Sequence, residues 1–287
     1  MLYHPDPQTP YSPPLQVDPL GYGRVALITG CSSGIGLATT QLFLAHQFRV
    51  FGVDVAEFDY ASLIRPEDQG RFHFHRRDLL LEAHACEETV RICVATFGGR
   101  IDVLVNVAGV LGGWGSVDGL AEGEWERVLG VNLTVPVRMM SGVVGFMKRK
   151  KEGGGEETEG CIVNVASVAG VSGAVAGVAY TASKHGLIGA TKNVAWRFRN
   201  EGIRCNAVLP GAVDSSIGKA IAAGSAAEES GFEQVRPVFA LQARSGDEGG
   251  TPITAMEVAK TIAFLVSDQA RTINGVCLPV DKAWGVL

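Results

Sequence analysis

Val25-Ala26-Leu27-Ile28-Thr29-Gly30-Cys31-Ser32-Ser33-Gly34-Ile35-Gly36 is the stretch whose reading decides the fold. Val25 to Thr29 is a short apolar run with the character of a buried strand. The glycines at 30, 34 and 36 mark a turn, and Leu37 to His46 has helical spacing. Strand, glycine-rich turn and helix in succession make a cradle for phosphate. Glycines let the backbone approach a pyrophosphate, and the helix N-terminus offers unpaired N–H groups at the positive end of its dipole. The spacing is not the common GxGxxG fingerprint, so its meaning depends on the rest of the chain.

The rest of the chain alternates between strand and helix patterns. Arg49 to Val53 reads as a second strand ending in Asp54, where a carboxylate can accept both hydrogen bonds of an adenosine ribose and repel a 2′-phosphate. Positions 55 and 56 are Val and Ala, so no cation stands directly after it. Further strands are expected at Phe72–His75, Ile101–Asn106, Ile162–Val165, Ile203–Val208 and Val276–Val280, with helices near 82–97, 122–149, 178–200 and 255–267. Strand–helix alternation of this length predicts a doubly wound parallel sheet covered on both faces, a three-layer αβα Rossmann fold. No internal repeat or linker divides it. Residues 1–22 read as a loose extension and 23–287 as one domain. The stretch 212–253 breaks the alternation with mixed small and acidic residues and reads as an irregular lid over a site.

Composition narrows the function classes. Hydrophobic residues make up 46% and charged ones 19% of 287 residues, as in a globular chain. The net charge of −5 argues against nucleic acid as a partner. The basic cluster Lys148-Arg149-Lys150-Lys151 gives way to three glycines and several glutamates, as a solvated helix end does. The six cysteines form no CxxC pair, so neither a disulfide framework nor a metal site is expected. The first 20 residues lack the apolar segment of a signal peptide, and no apolar run looks long enough to cross a membrane. A cytoplasmic protein is the expectation.

The chemistry is carried by Tyr180-Thr181-Ala182-Ser183-Lys184. Residues four apart share a helix face, so the Tyr180 phenol and the Lys184 ammonium can point into one space. A tyrosine titrates near 10, too high for a base at neutral pH, and a neighbouring cation is expected to lower that value. Ser167 stands at the exit of the strand Ile162–Val165, where open α/β sheets place their sites. Its hydroxyl can hold a substrate oxygen while Tyr180 moves a proton.

Together these residues resemble the short-chain dehydrogenase/reductase superfamily, over about residues 24 to 284. The motifs are Thr29-Gly30-x-x-x-Gly34-Ile35-Gly36, Asp78-Leu79, Asn106-Val107-Ala108-Gly109, Asn132, Ser167, Tyr180-x-x-x-Lys184 and Pro210-Gly211, in the family's order. The resemblance implies that Gly30, Ser32, Ser33, Gly34, Ile35 and Gly36 hold the cofactor phosphates. It gives Asp78 and Leu79 the adenine, and Asn106, Ala108 and Gly109 the floor under the adenosine ribose. It makes Tyr180 the general acid/base and Lys184 the partner of the nicotinamide ribose. Asn132 would hold a relay water, and Pro210, Gly211, Val213 and Ser215 would meet the nicotinamide end. Two departures stand out. Val107 replaces the usual Asn, and Asp281-Lys282-Ala283-Trp284 replaces the usual Asp-Gly-Gly.

The expected activity is an NAD(H)-dependent interconversion of a secondary alcohol and a ketone, with NAD preferred over NADP because of Asp54. Isomerisation, epimerisation or elimination with recycled cofactor is the alternative, and a non-catalytic dinucleotide sensor a third. Helices 122–149 and 178–200 are expected to pair copies into a homodimer or homotetramer. The segments after Gly109 and Ser167 carry no charge, and Gly112, Gly113, Gly173 and Ala174 are expected to leave volume. The substrate is therefore expected to be bulky and apolar, of terpenoid, steroid-like or polyketide type. Lys219, Arg236 or Arg244 on the lid could instead supply polarity.

Overall fold

The computed structural model describes residues 20–82, 84–148, 160–214, 226–240 and 253–286. Strands β1 (Val25–Thr29), β2 (Arg49–Asp54), β3 (Phe72–Arg76), β4 (Val103–Asn106), β5 (Gly160–Val165), β6 (Ile203–Pro210) and β9 (Cys277–Val280) form one parallel sheet in the order β3-β2-β1-β4-β5-β6-β9. Two-residue strands β7 (Val213–Asp214) and β8 (Ile253–Thr254) pair separately. The order reverses direction between β1 and β4, and ligands of such sheets bind at that switch.

The central strands are buried on both faces, and their residues alternate between two cores. Val25 and Leu27 join Phe51, Val53 and Leu104 on one face, while Ala26 and Ile28 join Val50, Val103 and Val105 on the other. Helices α3 (Ala85–Thr96), α5 (Val135–Met147) and α6 (Val178–Phe198) cover the first face. Helices α1 (Gly34–Ala45) and α8 (Ala255–Val266) cover the second. A single turn of helix, α2 (Tyr60–Leu63), lies between β2 and β3, and the Asp59 side chain caps its start. The α8 start is fixed by a capping box, in which the Thr254 hydroxyl accepts from the Glu257 N–H and the Glu257 carboxylate accepts from the Thr254 N–H.

Several expectations need revision. The single helix expected over 122–149 is two, α4 (Glu124–Leu129) and α5, joined by a π-turn at Gly130–Thr134. That 24-residue run is long and apolar enough to cross a membrane, contrary to the sequence reading, but half of its apolar window is buried inside the protein, as in a core helix. The stretch expected to be irregular contains a helix, α7 (Ala226–Ala240), which continues through Pro237. Residues 1–19 of the N-terminal extension, Arg149 to Lys151, Ser215, Lys219 and Arg244 lie outside the described residues.

Candidate active site

A cavity of about 590 Å³ opens along the C-terminal ends of the central strands. At one end stands the glycine turn. Gly30 has φ +70°, and a Cβ there would meet the Ala108 backbone at 2.9 Å. A Cβ on Gly36 would lie 1.9 Å from the Gly30 carbonyl oxygen, so α1 starts as close to β1 as two backbones allow. Ser33, Gly34 and Ile35 line the cavity, and Gly34 opens a 12-residue helix. This is a backbone cradle open to a ligand at a helix N-terminus, and it fits a dinucleotide pyrophosphate.

Asp54 closes this end. Its carboxylate accepts from the Ser32 N–H at 2.9 Å and the Ala56 N–H at 3.1 Å, which ties β2 to the turn and leaves lone pairs for a ligand. Cations do come near, although none stands after Asp54 in sequence. The parallel register sets Arg76 of β3 opposite Asp54, and Arg77 lines the cavity. Arg76 pairs with Glu57 at 3.0 Å, and Arg77 pairs with Glu82 at 2.7 Å and Glu88 at 2.6 Å. The Asp78 carboxylate accepts from the N–H groups of Leu80 and Leu81 at 2.9 and 3.0 Å, and both Asp78 and Leu79 line the wall. Ala108, Gly109, Pro210, Gly211 and Val213 line it as well. The Asn106 side chain does not. It is buried beneath, donating to the Asn164 Oδ1 at 2.8 Å.

At the far end Tyr180 and Ser167 line the cavity together, and the Ser167 side chain favours ionisation of the phenol. Ser167 caps a short 3-10 turn by accepting from the Ala169 N–H at 3.1 Å. The Lys184 Nζ is buried, donates to the Val165 carbonyl at 2.9 Å, and lies 5.4 Å from the centre of the Tyr180 ring. The electrostatics correct the sequence reading. Burial pushes the Tyr180 phenol up to about 12, with the Ser167 side chain opposing it, and burial brings the Lys184 ammonium down to about 8. In the protein chain by itself desolvation sets the direction in which the phenol shifts.

Asn132 does not line the cavity. Within the π-turn it is fully buried, and its amide clamps the Val110 backbone from both sides, accepting from the N–H at 2.9 Å and donating to the carbonyl at 2.8 Å. It also donates to the Ser183 hydroxyl at 3.1 Å. It thereby joins the π-turn, α6 and the loop after β4.

The roomy end is bounded by Leu111, Trp114, Ala169, Val175, Ala176 and Trp284. The small residues expected to leave volume do not face it. Gly173 and Ala174 are exposed, and the Gly113 N–H donates to the Glu124 carboxylate at 2.8 Å. Arg236 is exposed and pairs with Glu233 at 3.1 Å, so it does not face the cavity. Sequence reasoning misses Trp284 and Arg77. Only the departure at Asp281-Lys282-Ala283-Trp284 signals the first, and the β2–β3 register that delivers the second has no local signature.

The family model described as short chain dehydrogenase matches residues 24–226. The chain belongs to that family. Among relatives of this short chain dehydrogenase, the asnovolin H dehydrogenase nvfC of Aspergillus novofumigatus is 46% identical over 92% of this chain and 97% of its own length. The short-chain dehydrogenase/reductase olcF of Penicillium canescens is 42% identical over the same shares. The crystal structure of 3-ketoacyl-(acyl-carrier-protein) reductase from Brucella melitensis complexed with NADH superposes with a TM-score of 0.74 at 26% identity, covering 92% of this chain and 99% of that one. A short chain dehydrogenase is an oxidoreductase that uses a nicotinamide dinucleotide on a small-molecule substrate.

Proposed function

We propose that the protein is an NAD(H)-dependent oxidoreductase that interconverts a secondary alcohol and a ketone on a bulky, mostly apolar molecule of terpenoid, steroid-like or polyketide type. The observation that carries this reading is that Ser167, Tyr180 and Lys184 line one cavity at the junction between its backbone cradle and its apolar end, with the Lys184 Nζ 5.4 Å from the centre of the Tyr180 ring. Ser167 holds the substrate oxygen. Tyr180 gives that oxygen its proton in reduction and takes it back in oxidation, a step worth roughly 10²–10⁴-fold. When bound, the dinucleotide supplies or accepts the hydride. Lys184 holds the nicotinamide ribose, Asp54 the adenosine ribose, and Asp78 and Leu79 the adenine, while Asn132 fixes the Val110 backbone beside them.

Preference for NAD over NADP is supported by Asp54, whose carboxylate accepts from two backbone N–H groups among the described residues, while Arg76 and Arg77 are each engaged by glutamates. The Brucella reductase, crystallised with NADH, agrees with it. The apolar substrate class is supported by the wall from Leu111 to Trp284 and by a 46%-identical relative named as a dehydrogenase of asnovolin H. We further place residues 23–287 in one catalytic domain, with α7 as part of a substrate lid. A homo-oligomer formed through α4–α5 and α6 fits the exposed Trp196 and Val137 on those helices. The six cysteines, none in a disulfide and five of them buried, suit a cytoplasmic protein. In an NAD+ reduction assay with polycyclic secondary alcohols, Tyr180→Phe should lose at least about 100-fold in kcat with NADH affinity retained. Equal rates for the two proteins would overturn the mechanism.

A further inference from the structure

After β9 the chain ties a knot. The buried Asp281 accepts from the Ala283 N–H at 3.0 Å and the Gly285 N–H at 2.7 Å through its carboxylate, and from the Trp284 N–H at 3.1 Å through its carbonyl. Between these bonds Lys282 and Ala283 take φ values of 53° and 70°. Those are left-handed conformations that residues with a Cβ adopt only at a free-energy cost. The strain persists because the knot over-determines it, and its product is the direction of Trp284. The indole is 7% exposed, packs with Val168, Ala169, Val175 and Ala176 beside the Tyr180 ring, and lines the cavity.

The same indole reaches α7. Its Nε1–H donates to the Val238 carbonyl at 2.8 Å. Val238 lies in the last turn of α7, where a helix has no N–H of its own to offer a carbonyl. The other anchor of α7 is Trp114. A Cβ on Gly231 would fall 2.8 Å from the Trp114 carbonyl carbon, and the Phe232 ring meets the Trp114 ring edge-on at 5.1 Å. Gly231 and Val238 stand about 10 Å apart along a helix at 1.5 Å per residue. Helix α7 is thus held at two points by two tryptophans that both face the cavity.

We infer that Trp284 is a specificity-determining residue, which forms one wall of the substrate end and, through its N–H, clasps α7 so that the space beside Trp114 suits an apolar ring system. The inference rests on the reading of this cavity as an alcohol–ketone site. It assigns a role to the segment in which the chain departs from the glycine pair of its family. A flat, ring-bearing alcohol or ketone gains contact with both indoles. A short acyclic one leaves part of the wall uncovered.

The test compares Trp284→Phe, which keeps a ring but loses the N–H, and Trp284→Ala, which loses both. Each is assayed with a polycyclic secondary alcohol and with 2-butanol, and NADH binding is titrated as a check on folding. Binding of the polycyclic ketone is followed separately by quenching of tryptophan fluorescence. In Trp284→Ala the ratio of kcat/KM for the polycyclic over the acyclic alcohol should fall by at least about 10-fold, with ketone affinity falling alongside. In Trp284→Phe the KM for the polycyclic alcohol should rise about threefold or more while kcat holds, since the clasp and part of the indole's contact are lost while one ring remains. Equal losses on both alcohols with NADH binding intact would reduce Trp284 to a packing residue and overturn the inference. If Trp284→Ala does not bind NADH, Trp284→Phe carries the test, and an unchanged KM there overturns it too. A wild-type protein inert toward every alcohol and ketone would instead overturn the functional reading beneath it.

Discussion

The two ends of the cavity are built on different principles. The end we propose for the dinucleotide, from Gly30 to Asp54 and Asp78, is made largely of backbone. It depends on positive φ, close approach of main chains and carboxylates that cap N–H groups. The substrate end is made of side chains. Leu111, Trp114, Val175, Ala176 and Trp284 come from well-separated stretches of chain and meet only in the fold. A backbone site tolerates almost no change at its few required positions. A side-chain site can be altered residue by residue, with graded effects.

The comparison breaks most sharply at Gly36. A methyl group there would sit 1.9 Å from the Gly30 carbonyl, so Gly36→Ala should abolish NADH binding, with an affinity loss of at least about 100-fold. Retained binding by fluorescence titration would mean that the cradle is softer than its geometry. Lys184 sits at the seam between the two ends. Its folded pKa of about 8 lies below the ordinary 10.5, so the folded protein carries a burial penalty at neutral pH. That penalty is relieved as pH rises from 8 towards 10.5, because the folded state releases its proton before the unfolded state does. Lys184→Met should therefore inactivate the enzyme yet raise the stability of the cofactor-free protein by about 1–3 kcal/mol at pH 7. The gap in Tm should shrink between about pH 8 and 10. A gap constant with pH would show that the penalty is not one of charge.

Asp54 tests the dinucleotide end more gently. Asp54→Asn keeps the shape and removes the charge, and should narrow the NAD-over-NADP ratio of kcat/KM by about 10-fold. An unchanged ratio would mean that the Asp54 charge does not set the preference. The smallest effect is expected in the knot before Trp284. Ala283→Gly relieves one left-handed residue and should stabilise by about 0.5 kcal/mol, measured by thermal melting. Destabilisation would show that the knot is not strained.

The same division explains what can be read in the sequence. The strands from Val25–Thr29 to Ile203–Val208 are legible because most of them are runs buried on both faces, and the glycine turn because only glycine can take its conformations. The meeting of Ser167, Tyr180 and Lys184 at one cavity is legible because they stand at fixed offsets on one strand exit and one helix. The π-turn at Gly130–Thr134 is not, because the apolar pattern runs through it without a break. Helix α7 is hidden by its small and acidic residues and by Pro237, since propensity alone does not reveal what a helix rests on. The approach of Arg76 and Arg77 to Asp54 comes from strand register, and the inward turn of Trp284 from a carboxylate knot. Neither leaves a local pattern.

The π-turn also fixes a length. Its Val135 N–H reaches back five residues to the Gly130 carbonyl, so the helical run holds one residue more than a regular spiral would. Removing a single residue there would restore regular winding, and the turns after it would keep their phase, because the wide turn has already absorbed the extra residue. Met139, Met140 and Val143 would stay in the core they fill, while the Asn132 amide, set within the wide turn, would lose its hold on Val110. The extra residue thus serves the clamp on the Val110 backbone and not the packing of the helix that follows it.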